Sequence, residues 1–340
     1  MTAPHAERTT FRESTLWSTP IRDLGLTIEG TRLAPIITDF QRELEVVGFT
    51  RLAPRFYLST EWGVPFETVA VAIPFYLAHA ELEEMHAERA GHVEGQDREE
   101  ILRYLRHEMG HVVNYAYRLY DEAEWEELFG SMTEPYEDDY RPVPFSRKHV
   151  RHLPGWYAQK HPDEDWAETF AVYITPGLDW RSEYARRPVA RAKLEYCERT
   201  VLSLLNRDPV VVDDELDEDV GEIRYSLAQF YRDLRPEVPR LGLNLDMMLR
   251  SIFPDRGALL PPRLAADLIE RMEPDLLGNV FRWTGHFPDR TRVLVHHLAA
   301  RARKLGLCYS DREEASATVA VTTLVTSLAM NYVQSGAYFR

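Results

Sequence analysis

Cysteine is nearly missing from this chain. Cys197 and Cys308 are the only two in 340 residues, so neither a disulfide framework nor a cysteine-ligated zinc knuckle is expected. Lysine is almost as scarce: Lys148, Lys160, Lys193 and Lys304 stand alone, and arginine supplies the rest of the 40 basic residues. Against them are 55 acidic residues, for a net charge of −15. Nucleic acid and anionic membrane surfaces reward clustered positive charge, so neither is expected as a partner. Long apolar runs are missing too. The stretches 69–78 and 317–330 are the most apolar, and both fall short of the roughly 20 residues that a membrane span needs. The opening "MTAPHAERTTFRES" carries no apolar signal-peptide core. A soluble, cytoplasmic protein is therefore expected. Glycine-rich phosphate loops (GxGxxG, GxxxxGK[ST]) and the GxSxG elbow of serine hydrolases do not occur. Neither cysteine has a histidine beside it in sequence, so nothing suggests a cysteine nucleophile.

What is present is ordinary globular composition, 44% hydrophobic and 28% charged, in a chain long enough for one large domain or two smaller ones. Residues 1–30 read as an irregular arm. Apolar residues at helical spacing predict a helix over 33–47. "RFYLSTEW" and "FETVAVAIPFYL" are rich in β-branched and aromatic residues and predict strands, with Gly63-Val64-Pro65 as the turn between them. A helix is expected from about 98 to 120, a short one near 121–129, one from Pro162 to about Tyr173, and one over 181–206. Between them, 132–156 is proline-rich with alternating charge and predicts a long loop over a cleft. Its Arg147, Lys148, His149, Arg151 and His152 form the one concentrated basic spot in an acidic protein. The acidic run 210–222 reads as a solvated connector. It separates a domain over 31–209 from a helical C-terminal domain over 223–340.

The stretch that carries chemistry is "RYLRHEMGHVVNYAYRLY", Arg103 to Tyr120. His107 and His111 are four apart, so on a helix they present two imidazoles from one face. Glu108 lies one step round, close enough to reach a metal-bound water without ligating the metal. A catalytic zinc wants three protein ligands and an open position, so a third ligand is needed. The arrangement HExxHxxGxxH is excluded, because Asn114 and Tyr117 stand where its glycine and last histidine would be. The best candidate lies in "KHPDEDWAETFAVYITPG", 160–177. There Glu168 sits on a helix among Ala167, Phe170 and Ala171, where a carboxylate is expensive unless paired or metal-bound. Glu164 falls in the helix's first turn, where acids are favoured in any case, and needs no special role. Gly110, between the metal-facing positions, suggests a close approach by another element.

These residues also carry a resemblance. "HEMGH" followed by "HPDEDWAETFAVY" is similar to a family of zinc-binding metallopeptidases whose first motif is HExGH and whose second reads roughly HPxEDxAExxAxY. More distantly it resembles the glutamate-ligand zincins. The resemblance covers about 50–200. It implies an α+β, zincin-like metallopeptidase core with a small sheet and an active-site helix, followed by a mostly helical C-terminal region. It implies one zinc ion held by His107, His111 and Glu168, with Glu108 as general base. By the same resemblance, His161 or its rival Tyr157 would steady the oxyanion. Asp165 is a candidate to accept the outer N–H of one histidine. The substrate is expected to be a peptide or protein, added as a strand along 69–74. Two other functions fit the same residues: a non-catalytic peptide- or protein-binding protein that retains the fold, and a metal-dependent amidase acting on a small non-peptide substrate. Glu108 discriminates the first of these from a hydrolase, since a purely structural site has no use for a water-activating acid.

Overall fold

The computed structural model describes residues 16–90, 93–136, 140, 142–143, 146–233, 245–253 and 263–338. Part of the proline-rich loop lies outside them. The chain divides into two compact units, residues 1–89, 93–140 and 145–235, and residues 90–92, 141–144 and 236–340. The class is α+β and mostly helical, as expected.

In the first unit, α1 (Leu33–Val47) buries Leu33, Ile36, Ile37, Phe40 and Leu44 along one stripe and ends at Gly48, whose φ of 106° suits glycine. Strand β1 (Arg55–Ser59) pairs in parallel with β2 (Ala70–Pro74), from Arg55 opposite Ala70 to Ser59 opposite Pro74. All of β2 is buried. Its second edge is not open: the Ala72 N–H donates to the Gly63 carbonyl at 2.8 Å, and the Val69 N–H just before the strand goes to Asp213 at 2.7 Å. The expectation that a peptide adds along 69–74 is therefore corrected. The residues are small and apolar on both faces of the strand, so it sinks into the core instead of edging a cleft.

Helix α2 (Ala80–Ala90) precedes α3 (Arg98–Tyr117), which begins at Asp97, whose carboxylate accepts from the Glu100 N–H at 2.9 Å. Arg118 adopts the left-handed conformation (φ 53°) and stops α3, three residues before the expected end. Nearly the whole of α3 from Ile101 onward is buried. It is braced against α1 by a two-pronged pair: Arg106 Nε and Nη2 each donate to a Glu43 carboxylate oxygen at 2.8 Å. Short α4 (Ala123–Phe129) follows, then α5 (Pro162–Ile174), α6 (Trp180–Glu183) and α7 (Pro188–Leu204). The single helix expected over 181–206 is thus broken. Pro188 has no N–H to continue it and drives Arg187 out of helical geometry (φ −126°, ψ 76°).

The tightest packing in this unit is between α3 and α5, which run antiparallel. A Cβ built on Gly110 would lie 2.6 Å from the Ala167 Cα and 3.1 Å from its Cβ. The Trp166 indole N–H donates across the same crossing to the Gly110 carbonyl at 2.8 Å.

The acidic run is not a free connector. Val210 and Val211 donate to the Ala116 carbonyl, Val220 donates to Leu58, and the Tyr57 hydroxyl donates to the Asp217 carbonyl at 2.9 Å. Beyond it, Leu227 and Tyr231 on α8 (Leu227–Asp233) are buried in the first unit's core. The proposed boundary at 222 therefore moves to about 235. At the other end, Ile21 is fully buried and its N–H donates to the Tyr225 carbonyl at 3.0 Å. The supposed arm is part of the core from there.

The second unit packs α9 (Leu245–Ile252), α10 (Ala265–Arg271), α11 (Glu273–Thr284), α12 (Pro288–Lys304) and α13 (Glu314–Ser335), with a two-residue antiparallel pair of β3 (Arg263–Leu264) and β4 (Cys308–Tyr309). Leu249, Ile269, Leu298 and Val325 lie in its core. The apolar stretch 317–330 belongs to α13, which spans 22 residues. Among the described residues α13 falls in the one helical segment long and apolar enough to cross a membrane by length and composition. Its Ala317, Val321, Val325 and Leu328 form the buried stripe. His286 is buried in this unit, with Nδ1 at 2.8 Å from the Thr291 hydroxyl and Nε2 at 2.8 Å from that of Tyr338.

Two stability predictions follow from this packing. Gly110→Ala forces a methyl into the Ala167 backbone, and overpacking of this kind costs about 1–3 kcal/mol. Urea unfolding of the variant should show the loss, and an unchanged midpoint would mean that the crossing is looser than described. His286 is held down to about 3, first by burial and then by the charge of Arg290. The unfolded chain would take up a proton near pH 6.5 that the folded imidazole refuses. The stability this histidine lends is then complete above about pH 6.5 and is lost as pH falls toward 3. The stability gap between the natural chain and His286→Gln should accordingly be wider at pH 7 than at pH 4.5, and a gap independent of pH would refute the assignment.

Candidate metal centre

The α3–α5 crossing determines which side chains meet. Because the helices are antiparallel and touch at Gly110 and Ala167, residues before Gly110 face those after the start of α5, and residues after it face the first turn. His107 and His111, one turn apart on α3, project across the contact with Gly110 between them. The first turn of α5 and its continuation bring Asp163, Glu164 and Glu168 to meet them. All five side chains are buried, as is Glu108.

Three atoms converge on one point. His107 Nε2 lies 3.0 Å from Glu164 Oε2, His111 Nε2 lies 3.3 Å from the same oxygen, and the two nitrogens are 3.3 Å apart. The opposite ring nitrogens are each held from behind. His107 Nδ1 is 3.0 Å from Glu168 Oε1, and His111 Nδ1 is 2.8 Å from Asp163 Oδ2. An Nδ1–H donated to each of these carboxylates leaves both Nε2 lone pairs facing the Glu164 oxygen. Three acceptors in such proximity repel unless a cation lies among them. Tetrahedral zinc, with bonds of about 2.0–2.1 Å, sets its ligand atoms roughly 3.3 Å apart. The group therefore fits a zinc ion in both donor type and spacing, and His107, His111 and Glu164 are the residues that could hold one.

This corrects the third carboxylate. Glu168 does not reach the Nε2 atoms. It is fully buried as expected, but its charge is met elsewhere: by His107 Nδ1, by the His152 N–H at 2.6 Å, and by the Leu153 N–H at 2.9–3.0 Å. Burial pushes the Glu168 carboxyl up, but the His107 hydrogen bond and charge outweigh it, so that it stays below the usual carboxylate range. Glu164, set aside by its place in the first turn, takes the position instead. Both acids lie on the same stripe four apart, so the sequence could not decide between them without the register of the crossing.

Asp165 is corrected as well. It turns away from the histidines and forms a buried ion pair with Lys193. Burial raises it to about 7, opposed by Lys193 and assisted by Glu168. The acid that orients His111 is Asp163, which also accepts from Asn114 Nδ2 at 2.7 Å and from the Tyr115 hydroxyl. Asp163, Asn114 and Tyr115 were missed. Their signal was available, since Asn114 and Tyr115 lie three and four residues past His111 on one helix.

His161 is the N-cap of α5. Its Nδ1 accepts from the Asp163 N–H at 3.2 Å, which leaves Nε2–H to donate to the Glu134 carbonyl at 3.1 Å. With both nitrogens engaged by backbone, it is not poised as an oxyanion donor, which corrects that expectation. The Tyr157 ring lies against that of His107, centroids 5.5 Å apart. It shares a hydrogen bond with Tyr136, whose hydroxyl donates to Glu164 Oε1. Lys160 Nζ lies 4.2 Å over the Tyr136 ring and 5.3 Å over Tyr157. Tyr136, in the proline-rich loop, carried no signal in the sequence. Of the basic loop residues, His152 donates Nε2–H to the Arg103 carbonyl at 3.0 Å and is held down to about 4, chiefly by burial.

Glu108 differs from its neighbours. Burial raises it to about 7, His107 and His111 oppose the rise, and the charges of Glu164 and Asp163 add to it. His107 moves the other way relative to its own burial: desolvation pulls the imidazole down, but hydrogen bonds to Glu164 and Glu168 hold it up at about 9.

Comparison with curated proteins and with solved structures gives no match. A family comparison does, and it coincides with the site: residues 73–201, from the end of β2 into α7 and including every residue of the cluster, match the family described as "putative zinc-binding metallo-peptidase".

Proposed function

We propose that the protein is a zinc-dependent hydrolase of peptide bonds, with the metal held by His107, His111 and Glu164. The observation that carries the reading is the convergence of His107 Nε2, His111 Nε2 and Glu164 Oε2 within 3.0–3.3 Å of one another, with a separate acid, Glu108, adjacent. Zinc bound there would act as a Lewis acid and lower the pKa of a water in its open position toward neutrality. Glu108 would accept a proton from the attacking water and deliver it to the departing amine. Burial suits it to both acts, because a carboxyl near neutral pH gives and takes protons with little penalty. Tyr157 lies beside the His107 ring and would steady the developing oxyanion by turning its hydroxyl proton from Tyr136 to that oxygen. Glu168 and Asp163 keep the imidazoles turned so that both Nε2 atoms face inward. Tyr136 anchors the outer oxygen of Glu164.

The ligand set predicts an order among glutamine variants. In protein loaded with zinc and then dialysed, Glu164→Gln should retain far less metal than Glu168→Gln. Loss of a partner behind a ligand lowers metal affinity by only about 10–100-fold. Elemental analysis decides it, and greater zinc loss from Glu168→Gln would restore Glu168 as the ligand.

A second prediction separates catalysis from a structural site. Glu108→Gln keeps the shape but removes the base, so zinc content should be unchanged while cleavage of a peptide library falls at least 10²-fold, the lower range for a placed general base. Cleavage at the natural rate would refute the mechanism even with zinc present.

A further inference from the structure

A cavity of about 470 Å³ opens in the first unit beside the metal centre's supporting loop. Its wall includes Arg147, Arg151, Arg186 and Arg187, with His149, against one acid, Glu183. In a chain of net charge −15, four guanidinium groups around one pocket are a marked local reversal of sign. The arrangement is built rather than loose. Arg147 donates to the Arg186 carbonyl, Arg151 lies 4.9 Å over the Trp156 ring, and Arg187 lies 5.1 Å over Tyr184. The Arg151 backbone N–H donates to the Tyr184 hydroxyl oxygen at 3.1 Å. His149 in the same wall is held down to about 4, first by burial and then by Lys193 and Lys148 behind it.

The same segment runs into the metal centre. Ser146, Arg147, His149, Val150, Arg151 and Trp156 wall the pocket on one side. Between them, His152 and Leu153 give their N–H groups to Glu168, and Tyr157, next after Trp156, stacks edge-on to His107. Guanidinium groups are matched to carboxylates, which they grip through two parallel N–H bonds. The volume is that of a small-ligand site, room for an acidic side chain with its neighbouring residues.

We propose that this pocket is a recognition site for acidic peptides, binding the carboxylate of a glutamate or aspartate side chain on the arginines of 147, 151, 186 and 187. The peptide identity rests on the hydrolase reading above; the carboxylate chemistry rests on the pocket itself.

Isothermal titration calorimetry of the full chain tests it, using tri-glutamate and tri-glutamine peptides capped at both ends, free glutarate and inorganic phosphate. Tri-glutamate should bind at least tenfold tighter than tri-glutamine, with the advantage shrinking as salt is raised. The double variant Arg186→Gln/Arg187→Gln should abolish the preference. Glu183→Gln, which removes the one acid in the wall among the described residues, should strengthen it. Equal binding of the two peptides, or a preference that survives the double variant, would overturn the proposal. Glutarate or phosphate binding as tightly as tri-glutamate would assign the pocket to a free small anion and overturn the peptide. Binding needs no turnover, so failure here leaves the Glu108→Gln result standing, and failure of the hydrolase reading leaves the calorimetry interpretable.

Discussion

The absence of one methyl group at Gly110 organises the first unit of this molecule. Helices α3 and α5 approach so closely there that a Cβ would lie 2.6 Å from the Ala167 backbone. A glycine inside a helix costs about 1 kcal/mol of helix propensity, and here the cost is offset by what the contact fixes. With backbones in touch, side chains flanking the crossing have little freedom. His107 must meet Glu164 and Glu168, and His111 must meet Asp163. The Trp166 indole bonded to the Gly110 carbonyl locks the register from the opposite side. Shifting either helix by one residue would take every acid of the cluster away from its imidazole.

The second constraint is electrostatic. Seven titratable groups (His107, Glu108, His111, Asp163, Glu164, Asp165 and Glu168) are buried together, an arrangement that is costly unless each charge is met. The fold meets them individually. Glu168 has two backbone N–H groups from the 152–153 turn, Asp163 has an amide and a phenol, and Asp165 has Lys193. The 146–157 loop is therefore part of the site's electrostatics, not a cover laid over it. Helix α5 can start in a buried position because its cap is a histidine whose second nitrogen is itself satisfied by the Glu134 carbonyl.

Much of the fold was legible because its signals are local. The stripe of α1, the proline at the start of α5 and the HExxH spacing depend on nearest neighbours in sequence, and the elements appear where those signals put them. The close approach at Gly110 was legible for the same reason. What was not legible depends on register between elements. Glu164 and Glu168 are equivalent on a helical wheel, and only the crossing point decides which one faces the Nε2 atoms. First-turn placement was a sufficient reason for Glu164 to be acidic, so it hid a second one. Strand 69–74 looked like an edge because alternation cannot report what covers it. The 181–206 helix was overextended by weighing periodicity above Pro188. The acidic run looked like a linker because the bonds that hold it to Ala116, Leu58 and Tyr57 are made by its backbone groups, which leave no trace in side-chain composition.

The cluster also sorts its own acids by role. Asp163, Glu164 and Glu168 are each drawn below the ordinary carboxylate range, because imidazoles and backbone or phenol donors outweigh the burial that pushes them up. Glu108 is equally buried, yet burial wins and it rises to about 7. Its shift comes from desolvation and surrounding charge, while the other three owe theirs to donors aimed directly at their oxygens. Acids that must stay ionised to orient or ligate need such donors. An acid that must exchange a proton during each turnover is better left without them, since every fixed donor would have to be broken when the proton arrives. Carboxyl groups of one kind, packed within one helix crossing, are thus pushed in opposite directions by what the neighbouring chain offers them. The group left near neutrality is the one placed one residue past the first metal-facing histidine.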